Sequence, residues 1–473
     1  MLLHIARVVL ILFEVLVLFN LLIVVHELGH FLAAHWRGLY IEKFGVWFGK
    51  PLWKKTINGV QYSLGSLPFG GLVALPQLAP MDIIEGKADL DRAKLPKISA
   101  LDKIIVAFAG PLFSLLLALF FAGIVWVTGH PVGEADSTTI IGYVAPDSPA
   151  QKVGLQPGDK ILAVDGKPVR RFVGMNDSVS WDVVRSEGDK IAVKFERNGK
   201  VQTVWVQPYK AETRGWRRKS VRQLLIYPAE TPIIDKVEPG TPAAAAGLQP
   251  RDIIRGFDHT PIYNPIALLE YISKHPKDQL VLHVERKGAR FDVPVKPTLL
   301  PTAGEMKPRI GIQWDTTGIM SISHPNPIEQ VYESVTSTLK TIGAVASPKS
   351  DVKLQHLSGP IGIGRIYYLL FQSERGWQLA LWFSVILNVN LAILNMLPIP
   401  VLDGGHIVLA IIESVRRKPV NMRVLEVVQT SCAALIIGYM LYITFFDVQD
   451  LPFVRKRLDQ LEAPTPATKA ETP

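Results

Sequence analysis

The chain has 473 residues, 48% of them hydrophobic, and sets 51 Lys and Arg against 42 Asp and Glu for a net charge of +9. That length and apolar content exclude a single ordinary soluble domain and predict several parts. The basic excess calls for no nucleic acid, since the anionic face of a membrane accounts for it, and the lone Cys432 rules out an intramolecular disulfide.

Four stretches, residues 7–25, 104–127, 379–397 and 424–446, are long and apolar enough to be membrane spans. The first runs into "LLIVVHELGH" (21–30), and because this motif sits inside the run with no cleavage site behind it, the segment is expected to be retained rather than removed as a signal peptide. In a helix, His26 and His30 lie one turn apart on one face, a spacing that lets two imidazoles hold one zinc while Glu27 stands beside the bound water. Ionisable groups at bilayer depth are costly and mark function. Glu14 lies about 18 Å up the same helix, too far to share that metal.

The loop after the first span carries Arg37, Lys43, Lys50, Lys54, Lys55, Lys87, Arg92, Lys94, Lys97 and Lys103, and the loop before the fourth carries Arg416, Arg417, Lys418 and Arg423. Both are expected to be cytoplasmic, which places the insert between the second and third spans outside. Arg455, Lys456 and Arg457 in the tail run against this pattern. In the first loop, "GSLPFGGLVAL" (65–75) alternates weakly and contains Gly70 and Gly71, where a backbone can approach closely.

The insert repeats itself: "DSPAQKVGLQPGDKILAVDG" (147–166) aligns with "GTPAAAAGLQPRDIIRGFDH" (240–259) without a gap. Gly154 and Gly247 suit helix-ending left-handed positions, with Leu155 and Leu248 returning to a core. Each copy resembles a bacterial PDZ domain, over residues 131–228 and 229–315. The second has Arg251 for Gly158 and His259 for Gly166. The resemblance implies peptide capture by strand addition, with a rigid spacer as the alternative role. Residues 326–346 follow as an amphipathic helix leading back to the membrane.

A catalytic zinc takes a third protein ligand. "NVNLAILNMLPIPVLDGGH" (388–406) ends an apolar helix at Pro398 and Pro400 and then presents Asp403, with His406 a rival ligand. With HELGH and "NMLPIPVLDGG" on the page, the chain resembles the site-2 protease family of intramembrane zinc metalloproteases, in its bacterial branch with two PDZ domains. "GSLPFGGLVAL" and "LSGPIGIGR" (357–365) match more loosely, and "AGPLFS" (109–114) has Ser114 where relatives often have asparagine.

The resemblance implies a polytopic α-helical membrane protein: four transmembrane helices, a membrane re-entrant β-hairpin and two tandem extracytoplasmic PDZ domains. Its parts are residues 1–130 (first half of the membrane core), 131–228 and 229–315 (PDZ domains), 316–375 (amphipathic helix and gate region), 376–450 (second half of the core) and 451–473 (tail). It also implies a bacterial inner-membrane location and Zn2+ held by His26, His30 and Asp403, with Glu27 as general base. The expected partners are membrane lipid and a transmembrane protein substrate, an anti-sigma factor or a signal-peptide remnant. Gly70 and Gly71 are expected to pair with the unwound substrate, and Asn390 and Asn395 to bind its freed amides, with helix–helix hydrogen bonding the alternative for Asn390. A membrane-anchored PDZ scaffold without activity and a metal-coupled transporter are the competing functions.

Overall fold

The computed structural model describes residues 2–78, 95, 98–213, 215–302, 305–418 and 420–456. Lys87, Arg92, Lys94, Lys97 and Arg457 lie outside them.

Helix α1 (Leu2–Trp36) contains no proline and runs unbroken through the HELGH motif. It stops at Gly38, whose φ of 71° allows Leu39 N–H to reach back to the Ala34 carbonyl at 2.9 Å, a helix-ending turn that buries Leu39. A four-stranded sheet follows, made of β1 (Lys43–Phe48), β2 (Trp53–Ile57), β3 (Val60–Leu64) and β4 (Leu67–Ala74) in the order β2-β3-β1-β4. Where the motif at 65–75 implied a hairpin, the pairing is more extensive. The hairpin proper is β2–β3, β1 lies parallel to β3, and β4 adds antiparallel to β1 as an edge. A bulge at Trp47 (φ 69°) offsets β1, and the Phe48 ring fills the space where a Cβ on Gly70 (φ 87°) would stand.

Helix α2 (Ala100–Thr128) begins with a reciprocal cap between Ser99 and Asp102 and contains Pro111, which removes one ladder bond. Next, β5 (His130–Val132) opens the insert.

The first unit comprises β6 (Ile141–Val144), α3 (Pro149–Lys152), β7 (Lys160–Val164), β8 (Lys167–Pro168), α4 (Val179–Val184), β9 (Ile191–Arg197), β10 (Lys200–Val206) and β11 (Ile226–Pro228). The second repeats the plan with β12 (Ile234–Val237), α5 (Pro242–Ala245), β13 (Ile253–Phe257), β14 (Thr260–Pro261), α6 (Pro265–Lys274), β15 (Leu280–Arg286) and β16 (Ala289–Val295). The extra hairpin β17 (Thr298–Thr302) and β18 (Glu305–Arg309) follows, then β19 (Ile312–Trp314). Strand orders β10-β9-β7-β8 and β14-β13-β15-β16 correspond.

The duplication extends to a buried ion pair. Asp159 accepts from Gln156 N–H and from Arg197, which also donates to the Gly154 carbonyl; Asp252, Gln249, Arg286 and Gly247 repeat the arrangement. Arg251 (φ 71°) keeps the left-handed backbone of Gly158 (φ 93°) and pairs with Asp315 at 2.9 Å, so the exchange preserves the turn. Tyr143 donates to Glu270, and Glu134 accepts from both the backbone and the hydroxyl of Thr231, tying the units together.

The insert closes with β20 (Ser321–Ser323), antiparallel to β5. Helix α7 (Pro327–Ala346), capped by Asn326, packs between the long apolar helices and the first unit. Its Val331 and Val335 pack with Leu22, Ala118, Phe121 and Val389, and Gln330 donates to the Ala122 carbonyl. Its other side meets the first unit through Arg171–Glu333, Lys340–Asp177 and the packing of Trp181 on Ala344. The chain then forms α8 (Pro360–Phe371), α9 (Gly376–Asn395), α10 (Asp403–Arg416) and α11 (Met422–Gln449). Among the described residues four helices, α1, α2, α9 and α11, are long and apolar enough to cross a membrane. The segment between the last two, expected as a loop, holds the helix α10.

Candidate metal centre

Three side chains from distant parts of the chain converge. His26 and His30, both buried, place their Nε2 atoms 3.3 Å apart; that of His26 lies 3.3 Å from Asp403 Oδ2 and that of His30 3.3 Å from Asp403 Oδ1. Among the described residues this is the one His/Cys/Asp/Glu group of three able to share an ion.

Backbone geometry explains the convergence. Asp403 starts α10, which must turn back on the Pro398–Pro400 bend; a Cβ on Gly404 would lie 2.2 Å from the Met396 carbonyl oxygen, and one on Gly405 2.1 Å from that of Ile399. These two glycines let the carboxylate stand at the bend. On the opposite side α2 approaches through Gly110, where a Cβ would lie 2.2 Å from His30 Nε2 and 2.8 Å from His26 Nε2. Gly29 packs on the Ala109 backbone in the same way.

The donor set fits a cation. The Val106 carbonyl can only accept, so the 2.8 Å contact from His30 Nδ1 fixes the proton there and turns a lone pair on Nε2 inward. His26 Nδ1 lies 3.0 Å from the hydroxyl of Ser114, which is wholly buried. Ser114, standing where relatives often have asparagine, thus supplies a polar contact from α2 to His26. Asp403 Oδ2 is buried without a hydrogen-bond donor. Ligand atoms about 2.0–2.1 Å from a tetrahedral zinc sit about 3.3–3.4 Å apart, matching the 3.3 Å between the two imidazole nitrogens, each of which faces a different oxygen of Asp403.

Glu27, one residue from His26, is half-buried and faces β4, where a Cβ on Gly71 would come within 2.7 Å of its Cγ. Asn20, the one polar residue between Glu14 and His26, accepts from the Trp47 indole at 2.6 Å and donates to the Pro68 carbonyl at 3.1 Å. β4 therefore climbs beside α1 from Glu27 to Asn20. Sequence reasoning missed Asn20, although an amide isolated in an apolar run was the available signal.

Asn395 reaches the cluster, its Nδ2 3.2 Å from His26 Nε2. Asn390 instead binds the Thr338 hydroxyl of α7, the helix–helix alternative foreseen for it. His406 is outside the three-residue group, with a buried Nδ1 that has no hydrogen-bond partner.

Residues 14–439 match the model of peptidase family M50. The chain belongs to this family. It is thus a site-2 protease relative and a metallopeptidase. A Neisseria meningitidis protein whose name assigns it provisionally to the zinc metalloproteases is 30% identical over 93% of this chain and 98% of its own length. The regulator of sigma-E protease RseP of Escherichia coli is 28% identical, covering 86% and 92%. Protease RseP of Yersinia pestis is also 28% identical, covering 86% and 92%. The M50 match spans both halves of the cluster, HELGH and Asp403.

Proposed function

We propose that the chain is an intramembrane zinc metalloprotease that cuts within the transmembrane segment of single-span substrates. The observation that carries this is the meeting of His26, His30 and Asp403 at separations suited to one tetrahedral ion. When bound, zinc supplies Lewis acidity and lowers the pKa of a coordinated water.

The protein's own groups do the rest. A helical substrate hides its carbonyls in its own hydrogen-bond ladder, so it must unwind and have those bonds replaced. The outer edge of β4 offers a row of backbone donors and acceptors beside Glu27, and Gly71 keeps that edge close. Glu27 takes the proton from the attacking water and delivers it to the leaving amine. Asn395 stands where it can hold a freed substrate amide or the carbonyl next to it. Asn390, occupied by Thr338, supports the α7–α9 contact, and Gly70 shapes the strand by admitting Phe48.

Relatives named regulator of sigma-E protease support an anti-sigma factor as substrate and a bacterial inner membrane as location; a signal-peptide remnant is the other substrate we propose, and the basic loops beside the spans put the insert on the periplasmic side. The two units act as PDZ domains that filter substrates by size. The first unit is braced on α7, which packs on α2 and α9 beside the centre. The second presents an apolar cleft between α6 and Ile310–Trp314, lined by Leu268, Ile272 and Ile312.

The test is incubation of the purified chain with tagged single-span substrates, with and without a zinc chelator, reading fragment masses. Cleavage should need metal, and Glu27→Gln should keep stoichiometric zinc while losing cleavage. Full cleavage by Glu27→Gln rejects its role as base. Purified protein that holds no zinc returns the scaffold reading.

A further inference from the structure

The first unit carries a long excursion between β10 and β11, closed at its neck by paired backbone bonds between Tyr209 and Gln223. In sequence, residues 209–223 hold six basic residues and one acidic, Glu212, together with Trp216. Trp216 is 83% exposed, an unusual state for the largest apolar side chain.

Its position gives this exposure meaning. Arg218, two residues on, reaches the outer end of α11, where it donates to buried Asp447 at 2.6 Å, pairs with Asp450 at 2.8 Å and lies over the Phe446 ring. Arg218 also donates to the carbonyls of Gln355 and Leu357, and the Lys219 carbonyl accepts from His356. The excursion is therefore fixed beside the end of a membrane-length helix. Just past that end Phe453 is 72% exposed, with exposed Arg455 and Lys456 behind it, while Val448 and Phe445 continue the exposed apolar face of α11. Two separate segments thus bring aromatics and basic groups to the same helix end; Arg218 engages both local acids, Asp447 and Asp450, and Lys219, Arg455 and Lys456 outnumber the one negative charge left over. Indole and phenyl rings beside Lys and Arg at a helix end are the composition of a bilayer interface.

We infer that Trp216 and Phe453, with Lys219, Arg455 and Lys456, form a docking surface for anionic phospholipid headgroups, anchoring the first unit to the bilayer beside α11. This rests on α11 spanning the membrane, which the proposed function also requires. It gives the basic tail residues a lipid partner on the insert's side of the membrane.

The test uses the full chain in nanodiscs of phosphatidylcholine alone or mixed with phosphatidylglycerol, with acyl chains brominated near the carbonyl. The emission lost in Trp216→Phe isolates Trp216 from the other tryptophans. That emission should be blue-shifted and quenched in the anionic discs and less so in phosphatidylcholine. Lys219→Gln, Arg455→Gln and Lys456→Gln together should lower the ratio of lipid-seated to free loop about a hundredfold, at about fivefold per basic charge. Incorporation into the discs reports the spans independently of Trp216, and zinc content reports folding. Trp216 emitting as free indole, unquenched in every bilayer, overturns the inference. So does equal quenching in both lipids and in the charge variant, or quenching that requires an added acidic polypeptide.

Discussion

Replacing Gly110 by alanine adds one methyl group at the point where α2 meets both imidazoles. The new Cβ would lie 2.2 Å from His30 Nε2 and 2.8 Å from His26 Nε2, against at least 3.4 Å for ordinary contact. The nearer ring must retreat by about 1 Å, whereas a metal site holds its ligand distances to about 0.2 Å. Neither ring is free to swing, since Val106 and Ser114 grip the far nitrogens. The expected result is a fall in zinc affinity of at least about 100-fold, larger than losses from orienting groups. Cleavage should fall with it while the helices stay folded. Gly123→Ala, on the same helix with open space around its Cβ, is the control and should be neutral or gain up to about 1 kcal/mol in stability. Zinc content by mass spectrometry, competition with a chromogenic chelator and substrate cleavage read the outcome. Gly110→Ala with full zinc and full activity would refute the placement of the cluster against α2.

Other expectations follow from neighbouring contacts. Ser114→Ala removes the hydroxyl that orients His26 and should weaken zinc binding by about 10–100-fold, measured by the same competition. Gly71→Ala should leave zinc in place yet depress cleavage, because its Cβ would push on Glu27; unchanged turnover would show that Glu27 moves freely. Burial opposes ionisation of Glu270, but Lys274 and the Tyr143 hydroxyl outweigh it and hold its pKa below the usual carboxylate range. The Tyr143 tie, worth about 1 kcal/mol, is therefore present above that range and lost as pH falls through the lowered pKa. Tyr143→Phe should lower the insert's unfolding temperature at neutral pH and make no difference once Glu270 is protonated.

How far the sequence reveals the molecule depends on the range of the signal. Two histidines at helical spacing in an apolar run are a local pattern, as is the duplicated Gly-Leu-Gln-Pro turn, and both are legible from residues alone. Asp403 was legible as a candidate because two prolines must end α9; what chose it over His406 is the fold-back through Gly404 and Gly405, a three-dimensional fit. The sheet was seen only as its edge, since the parallel pairing of β1 with β3 leaves no mark in hydropathy. Helix α10, amphipathic and bordered by basic residues, looked like a loop between spans. Asn390 and Asn395 look alike in sequence, and only the helices packed around them separate their partners, Thr338 for one and His26 for the other.

The ribbon of β5 and β20 has a consequence for how such a chain can change. Val132 faces Ser321 and His130 faces Ser323, so nearly two hundred intervening residues depart and return through a gap of about 5 Å, the spacing of neighbouring strands. Joining Val132 to Ser321 by a tight turn would close the polypeptide with little entropic penalty. In connectivity the intervening cassette is thus exchangeable: another module could be spliced across the same two strands, provided it supplies new partners for Glu333 of α7 and Asp447 of α11, which the first unit now engages.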